Sequence, residues 1–179
     1  VKYVWTHDSF RVGEDGPTHQ PVEQEAQIRL LEKMQNLEGR RSMLVLRPSD
    51  AAETTVAWKM AFENTECPTA LILSRQNIFD IPPRAGGVRL QDARGAEKGA
   101  YIVDDVATKP DIVLVANGSE VSTLLEVAGK LKSDKGMAAR VVSVPSDALF
   151  LEQDEEYRES VLPTGVPTFG LTAGLGVAL

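Results

Sequence analysis

Short apolar, β-branched runs alternate along the chain with stretches that have helical spacing. The run VKYVW predicts a strand at residues 1–5, and similar runs predict strands at 42–47 and 69–76. The segments between these strands are long enough to be crossover helices. The pattern therefore predicts an α/β fold with mostly parallel sheets and helices on both faces.

Two helices are predicted in the first half of the chain. Asp50, with Glu53 three residues later, is typical of a capped helix start, and this helix is expected to end near Asn64. An earlier helix is indicated by apolar residues that recur at helical spacing: Val22, Ala26, Leu30, Met34 and Leu37.

The regular pattern stops at residues 78–99 and then resumes. This segment has adjacent prolines, four glycines and no sustained period, so it is interpreted as a linker that crosses a surface. After it, AYIVDDV and DIVLVAN predict strands, and Ser119 is expected to cap the helix that follows. AARVVSVPS predicts another strand, 154–160 a short acidic helix, and PTFGLTAG a last strand.

Composition and charge argue against several classes of function. The 179 residues carry a net charge of -7, which argues against broad binding to nucleic acid or to an anionic membrane. Cys67 is the one cysteine, so an internal disulfide is excluded and a reducing cytoplasm is expected. No apolar run approaches the ~20 residues that span a bilayer. Because the chain begins without Met and ends on LGVAL, it is interpreted as a piece of a longer protein.

Chemistry is expected in the loop after the first strand, which contains GEDGPTHQP at residues 13–21. His7 and His19, the two histidines of the chain, flank Asp15 in this region. Imidazoles donate or accept protons near neutral pH and a carboxylate accepts from hydroxyls, which suits a polyhydroxylated substrate. The alternative is a surface loop rich in turn-forming residues.

A second candidate cluster, LSRQN, follows the strand at 69–76. The guanidinium of Arg75 fits phosphate oxygens, and His7 could donate to the same group, although Arg75 could equally pair with a nearby carboxylate. NGSE at residues 117–120 indicates either an anion site at a helix N-terminus or a capped helix start.

The motifs THDS, GEDGPTHQPVEQ, LRPSDAAE, LSRQN, NGSEV and ARVVSVPS, in this order and spacing, resemble the transketolases. The resemblance runs from residue 1 to about 172. It implies thiamine diphosphate and Mg as cofactors, phosphorylated sugars as substrates, and a homodimer. It also implies that residues 1–78 are the latter part of the pyrimidine-binding domain, 79–97 a linker and 98–179 an incomplete C-terminal domain.

The resemblance implies roles for individual residues. His7 and Arg75 correspond to the residues that bind the substrate phosphate, and Asp15 to the one that recognises a sugar hydroxyl. His19 corresponds to the residue beside the thiazolium that contacts the donor's two-carbon unit, and is therefore both the catalytic and the cofactor-binding candidate.

Some features depart from the family pattern. Phe10 and Arg11 stand where many members carry a small, apolar pair, which leaves the sugar preference open. The residues that hold the pyrophosphate and metal in the family lie outside this chain, which implies that the chain is inactive alone. Two alternatives remain, namely another thiamine enzyme such as deoxyxylulose-phosphate synthase, or a short transketolase-like subunit that binds a separate partner.

Overall fold

The computed structural model describes residues 1–8, 22–176 and 179. Its strands are β1 (Lys2–Trp5), β2 (Leu44–Leu46), β3 (Thr69–Ile72), β4 (Tyr101–Asp104), β5 (Ile112–Ala116), β6 (Ala139–Ser143) and β7 (Thr168–Leu171). Its α-helices are α1 (Gln24–Lys33), α2 (Ala51–Glu63), α3 (Arg89–Ala93), α4 (Glu120–Lys135), α5 (Asp147–Leu151) and α6 (Glu155–Val161). The α/β fold predicted from the pattern is confirmed.

In the described ranges, the first half of the chain forms a parallel sheet with the order β1-β3-β2. Strands β2 and β3 are buried along their whole length, as expected for parallel strands that are covered on both faces. Strand β1 lies at the edge and is largely exposed. Helix α2 packs on one face of the sheet, and Ile28 of α1 packs on the other.

The second half forms a sheet with the order β4-β6-β5-β7. Strands β6 and β7 both pair with β5 in parallel, whereas β4 pairs with β6 in the antiparallel direction. One core lies between this sheet and α4, and it continues onto Val56 of α2 in the first half. A second core covers the opposite face and includes Phe150 of α5 and Val161 of α6.

Helix α1 lies where the spacing predicts a helix, but it turns a charged face to the interior and leaves most of its apolar positions at the surface. Glu25, Arg29 and Glu32 are its buried residues, whereas Leu30 is 58% exposed. The helix ends at Lys33, so the apolar spacing that runs on to residue 37 extends past the helix. The physical reason is that the inward face meets ionic groups of the second half of the chain, which compensate its charges.

Helix α2 begins as predicted. The side chain of Asp50 accepts a hydrogen bond from the Glu53 amide at 2.8 Å. The Glu53 carboxylate accepts from the Ser49 amide at 2.8 Å, one residue before the cap. The Glu53 amide, which the first turn leaves without a helical partner, is thereby satisfied, and so is the amide of the residue before the cap.

The segment between the two sheets is more ordered than the linker interpretation proposed. Helix α3 continues directly into a 3₁₀ helix at Arg94–Lys98, and both pack on α2. Ala93 and Ala96 are buried, and Gly95 lies against Tyr101 so closely that a Cβ atom there would be 2.4 Å from its ring. These helical turns are too short to produce a detectable period in the sequence.

Within the described ranges, no helix is both long enough and apolar enough to cross a membrane. Location in the cytoplasm stays a prediction.

Candidate functional site

Two of the sequence-predicted site residues lie at the carboxyl edge of the first sheet. Strands β1 and β3 are parallel neighbours, with Trp5 opposite Ile72, and the Leu73 amide donates to the Trp5 carbonyl at 2.7 Å. His7 and Arg75 follow the ends of these strands by a few residues. Ligands of open parallel sheets bind beyond this edge.

A hydrogen bond ties the two loops together at this edge. The Ser74 hydroxyl donates to Oδ2 of Asp8 at 2.9 Å. Since Asp8 follows His7 and Ser74 precedes Arg75, the two cationic candidates flank a bonded pair. Arg75 is exposed and His7 is partly buried, and Nδ1 of His7 lies 3.1 Å from Oγ1 of Thr6. Both groups are therefore held on one rim of the fold.

The other predicted site residues, Asp15 and His19, lie outside the described residues, as do Phe10 and Arg11. Their roles stay predictions.

Arg47, which follows β2, is the centre of a buried ionic cluster that the sequence interpretation missed. Its guanidinium is fully buried, and its NH2 group donates to Oδ2 of Asp8 at 2.8 Å. The same NH2 donates to both carboxylate oxygens of Glu120, at 2.9 and 2.8 Å, while NH1 donates to the side chain of Asn117. Glu25 of α1 lies 3.7 Å from Nε. The cluster joins both halves of the chain.

Gly118 permits the close approach of Arg47 to the turn before α4. Its φ is +58°, a conformation that residues with a Cβ rarely adopt, and a Cβ atom there would lie 2.7 Å from Cζ of Arg47. The Gly118 amide also donates to the Arg47 carbonyl at 3.1 Å. Three residues of the NGSE motif, Asn117, Gly118 and Glu120, therefore hydrogen-bond to Arg47.

Burial and charge set the protonation of this cluster. Burial alone lowers the pKa of Arg47, but the carboxylates of Glu120, Glu25 and Asp8 outweigh it and hold that pKa above its usual value. Burial raises the pKa of Glu120, and the charge of Arg47 opposes this rise. Arg47 is thus a permanent cation among several acids.

Glu32 of α1 forms a second buried contact between the two halves. Its Oε1 accepts from the Ser146 hydroxyl at 2.7 Å and from the Val45 amide at 2.9 Å. Arg29 lies 3.5 Å from Oε2 and also donates to Asp147 at 3.1 Å. Burial raises the pKa of Glu32 from 4.5 to about 6, with Arg29 opposing the rise.

The raised pKa of Glu32 predicts a pH effect on stability. The folded state holds this proton more tightly than the unfolded state, so the contribution is full below about pH 4.5 and is lost as the pH rises through about 6. The shift corresponds to about 2 kcal/mol. Glu32→Gln should flatten the pH dependence of the urea-unfolding free energy across this window.

The control for this prediction is Glu66→Gln, because the Glu66 side chain is 67% exposed. It should leave the pH profile unchanged. A Glu32→Gln profile that superimposes on that of the unaltered chain would contradict the assignment.

The linker supplies a third ionic contact. Arg89 donates through Nε to Oδ2 of Asp50 at 2.7 Å, and the Tyr101 hydroxyl donates to Oε1 of Glu53 at 2.5 Å. Burial, and then the charge of Glu53, raise the pKa of Tyr101 above its ordinary value. The start of α2 is therefore fixed to β4 and to the linker.

The cavities near the carboxyl edge differ in size. One of about 100 Å³ lies beside His7 and is lined by Trp5, Glu25 and Ile72. Another of about 420 Å³ lies along the LSRQN segment and is lined by Thr54, Ser74 and Gln76 among others. Ligand sites usually measure ~300–1,000 Å³. Only the second of these two cavities can therefore accept part of a sugar phosphate.

The cavity beside His7 is too small for thiamine diphosphate, and within the described ranges no three His, Cys, Asp or Glu side chains cluster as metal ligands. The edge instead offers an exposed guanidinium and an imidazole, which suit the phosphate of a substrate.

Comparisons with known proteins agree with these features. Residues 1–80 match the family described as the transketolase pyrimidine binding domain, and residues 99–178 match the transketolase-like C-terminal domain. The chain belongs to the transketolase family. The resemblance read from the motifs is thereby confirmed.

The relatives are much longer than this transketolase-family chain. It is 45% identical over 163 residues to Transketolase 2 of Vibrio parahaemolyticus, which covers 91% of the chain and 22% of that relative. The structure of transketolase from Leishmania mexicana matches with a TM-score of 0.81 and 42% identity, covering 99% of this chain and 24% of the other. The chain thus spans between a fifth and a quarter of the length of these two relatives.

A shorter solved structure also matches. It is described as a split gene transketolase, an inactive beta4 tetramer, and is 28% identical with a TM-score of 0.65. The match covers 99% of this chain and 51% of that one.

Proposed function

We propose that this chain forms the substrate-phosphate side of a transketolase active site. The reaction is the transfer of a two-carbon ketol unit from a ketose phosphate to an aldose phosphate. The observation that carries the proposal is the hydrogen bond between Ser74 and Asp8, which holds the loops of Arg75 and His7 at one edge of the sheet.

The chemistry of this edge supports an anion site. Arg75 is exposed at the carboxyl edge and its guanidinium can donate two parallel hydrogen bonds to phosphate oxygens. His7 can donate a further bond from its imidazole. The cavity of about 420 Å³ lies next to Arg75 in sequence, since Ser74 and Gln76 both line it.

Asp15 and His19 complete the proposal. Asp15 accepts a hydrogen bond from a sugar hydroxyl, and His19 donates to the hydroxyls of the two-carbon unit beside the cofactor. Thiamine diphosphate, bound with Mg, supplies the carbanion chemistry. The described residues of this chain bind and orient the phosphorylated end of the sugar.

Arg75→Ala tests the phosphate role in an active assembly that contains this chain. The loss of a charge-assisted contact should cost about 1.5 to 3 kcal/mol. The KM for phosphorylated sugars should therefore rise roughly tenfold or more, with little change for unphosphorylated sugars. Steady-state kinetics with both substrate classes measure this difference.

Arg84→Ala is the matched control, since Arg84 is an exposed arginine in the segment that follows the site. It should leave both KM values unchanged. Equal effects of Arg75→Ala on phosphorylated and unphosphorylated sugars would remove the phosphate role.

The chain alone is expected to be inactive, because in the transketolases that its motifs resemble the residues that hold the pyrophosphate and metal lie outside the part that it matches. A ketol-transfer assay on the purified chain, with thiamine diphosphate and Mg added, should show no turnover. Sustained turnover would contradict this expectation, and a donor and acceptor screen on the active assembly would separate transketolase from deoxyxylulose-phosphate synthase.

A separate subunit is the second candidate. It is favoured by the match to a split gene transketolase, of which this chain covers 51%, against 22% for Transketolase 2 of Vibrio parahaemolyticus. Activity that appears only on mixing with a separately expressed N-terminal subunit would support it.

A homodimer is proposed for the active assembly. The support is the exposure of apolar side chains on β1, where Tyr3 stacks on Trp5 at 5.6 Å, and on α1, where Leu30 is 58% exposed. A second copy of the chain could cover these side chains.

A further inference from the structure

Six side chains form a continuous hydrogen-bonded series between the two halves of the chain. Gln76 donates through Nε2 to the Ser119 hydroxyl at 3.0 Å, and that hydroxyl donates to Oε2 of Glu120 at 3.3 Å. Glu120 accepts from NH2 of Arg47, which also donates to Oδ2 of Asp8. Asp8 in turn accepts from Ser74. The series therefore starts and ends on the two neighbours of Arg75.

The series holds the residues on both sides of Arg75 and the residue that follows His7. Arg75 itself is exposed, and the residue before it and the residue after it are both held by side-chain hydrogen bonds. Asp8, which receives two of the bonds, is buried and follows His7. Loss of any hydrogen bond in the series would therefore change the position of the loops that carry His7 and Arg75.

Two side chains of the series, Ser119 and Glu120, come from the C-terminal domain. Ser119 occupies the N-cap position of α4, but in the described part of the chain its hydroxyl contacts Gln76 and Glu120 rather than an amide of the helix, so the cap predicted from the sequence is wrong. Glu120 is fully buried against Arg47. Both side chains therefore bind residues of the neighbouring domain, Ser119 binding Gln76 and Glu120 binding Arg47.

We propose that Ser119 and Glu120 are positioning residues for phosphate recognition: Ser119 holds Gln76 directly, and Glu120 holds Ser74 through Arg47 and Asp8, so that Arg75 and His7 face one anion. This inference rests on the proposed phosphate role of Arg75 and His7. It assigns to the C-terminal domain a part in substrate binding without any contact between that domain and the substrate.

The test is a titration of the purified chain with inorganic phosphate, followed by NMR through the Arg75 Nε–H and His7 imidazole signals. Ser119→Ala removes the acceptor of Gln76 and should weaken phosphate binding roughly three- to tenfold, as expected for one hydrogen bond. Ser119→Thr retains a hydroxyl and should restore most of the affinity. The urea midpoint of each variant shows whether the fold is intact.

Ser122→Ala is the matched control, because the Ser122 hydroxyl bonds the Ser119 carbonyl in the same turn and lies outside the series. It should leave the phosphate affinity unchanged. A second arm uses Arg75→Lys. The lysine ammonium binds phosphate without the fixed direction that a guanidinium needs, so its binding should depend less on how residue 75 is oriented. In that background Ser119→Ala should cost clearly less affinity than in the unaltered chain.

The outcomes separate the two claims. If the unaltered chain binds phosphate and Arg75→Ala abolishes binding, the phosphate role stands; Ser119→Ala with unchanged affinity then overturns the positioning role alone. Equal losses from Ser119→Ala with Arg75 or Lys at position 75 also overturn it. If the unaltered chain does not bind phosphate, the phosphate role fails and the positioning role fails with it.

Discussion

Replacing Arg47 by Met is expected to lower the free energy of unfolding by about 3 to 5 kcal/mol. The guanidinium is fully buried and is the cation that Asp8 and Glu120 share. Met has a similar length and no charge, so the change leaves buried carboxylates without their partner. Urea denaturation of the purified chain at neutral pH measures the loss.

The control is Arg94→Met. Arg94 is 66% exposed and lies 3.8 Å from Glu97, a surface pair that contributes less than about 1 kcal/mol. It should leave the unfolding midpoint nearly unchanged. If Arg47→Met were as mild as Arg94→Met, the buried cluster would not be a determinant of stability.

A double variant distinguishes lost attraction from lost packing. Glu120→Gln removes one of the charges that Arg47→Met leaves uncompensated, so the double variant should lose less than the sum of the single losses. Additive losses would indicate that the two side chains act independently, in conflict with NH2–carboxylate distances of 2.9 and 2.8 Å.

Most of the secondary structure could be predicted from local patterns. Runs such as those of β3 and β5 are apolar and β-branched because parallel strands are covered on both faces, and this signal needs no knowledge of the partner. The capped start of α2 is also local, since Asp50 and the Glu53 amide are three residues apart.

The inward face of α1 could not be predicted in the same way. Apolar spacing shows which residues avoid water when the partner is apolar, but the partner of α1 includes Asp147 and Ser146, which lie more than a hundred residues away. The one local signal is the spacing of Glu25, Arg29 and Glu32, which puts the three charges on one helix face.

In the candidate site, too, some residues could be predicted from local sequence and others depend on distant partners. His7 and Arg75 could be found because each follows a recognisable strand, and parallel strands end at a common edge. The central position of Arg47 is not evident from the LRPSDAAE motif in which it lies. Its function depends on Glu120 and Asn117, whose proximity follows only from the packing of the two sheets.

Gly99→Ala is expected to destabilise the chain by at least about 3 kcal/mol. Gly99 has a φ of +87° at the junction between the 3₁₀ helix and β4. A Cβ atom there would lie 2.3 Å from the Phe150 amide nitrogen and 2.4 Å from the Ser146 carbonyl oxygen. These are backbone atoms, and a rotamer change cannot move them away.

The matched control is Gly136→Ala at the end of α4. Gly136 has a comparable φ of +65°, but among the described atoms nothing lies within 4 Å of the position of a Cβ. Its cost should be the backbone strain alone, about 1 kcal/mol. The difference between the two variants in urea unfolding measures the collision with α5, and equal losses would show that the junction can move apart.

Since the Ser146 amide also donates to the Gly99 carbonyl at 3.0 Å, a shift at Gly99 would displace Ser146, whose hydroxyl donates to Glu32. Gly99→Ala should therefore also reduce the pH dependence that is assigned to Glu32.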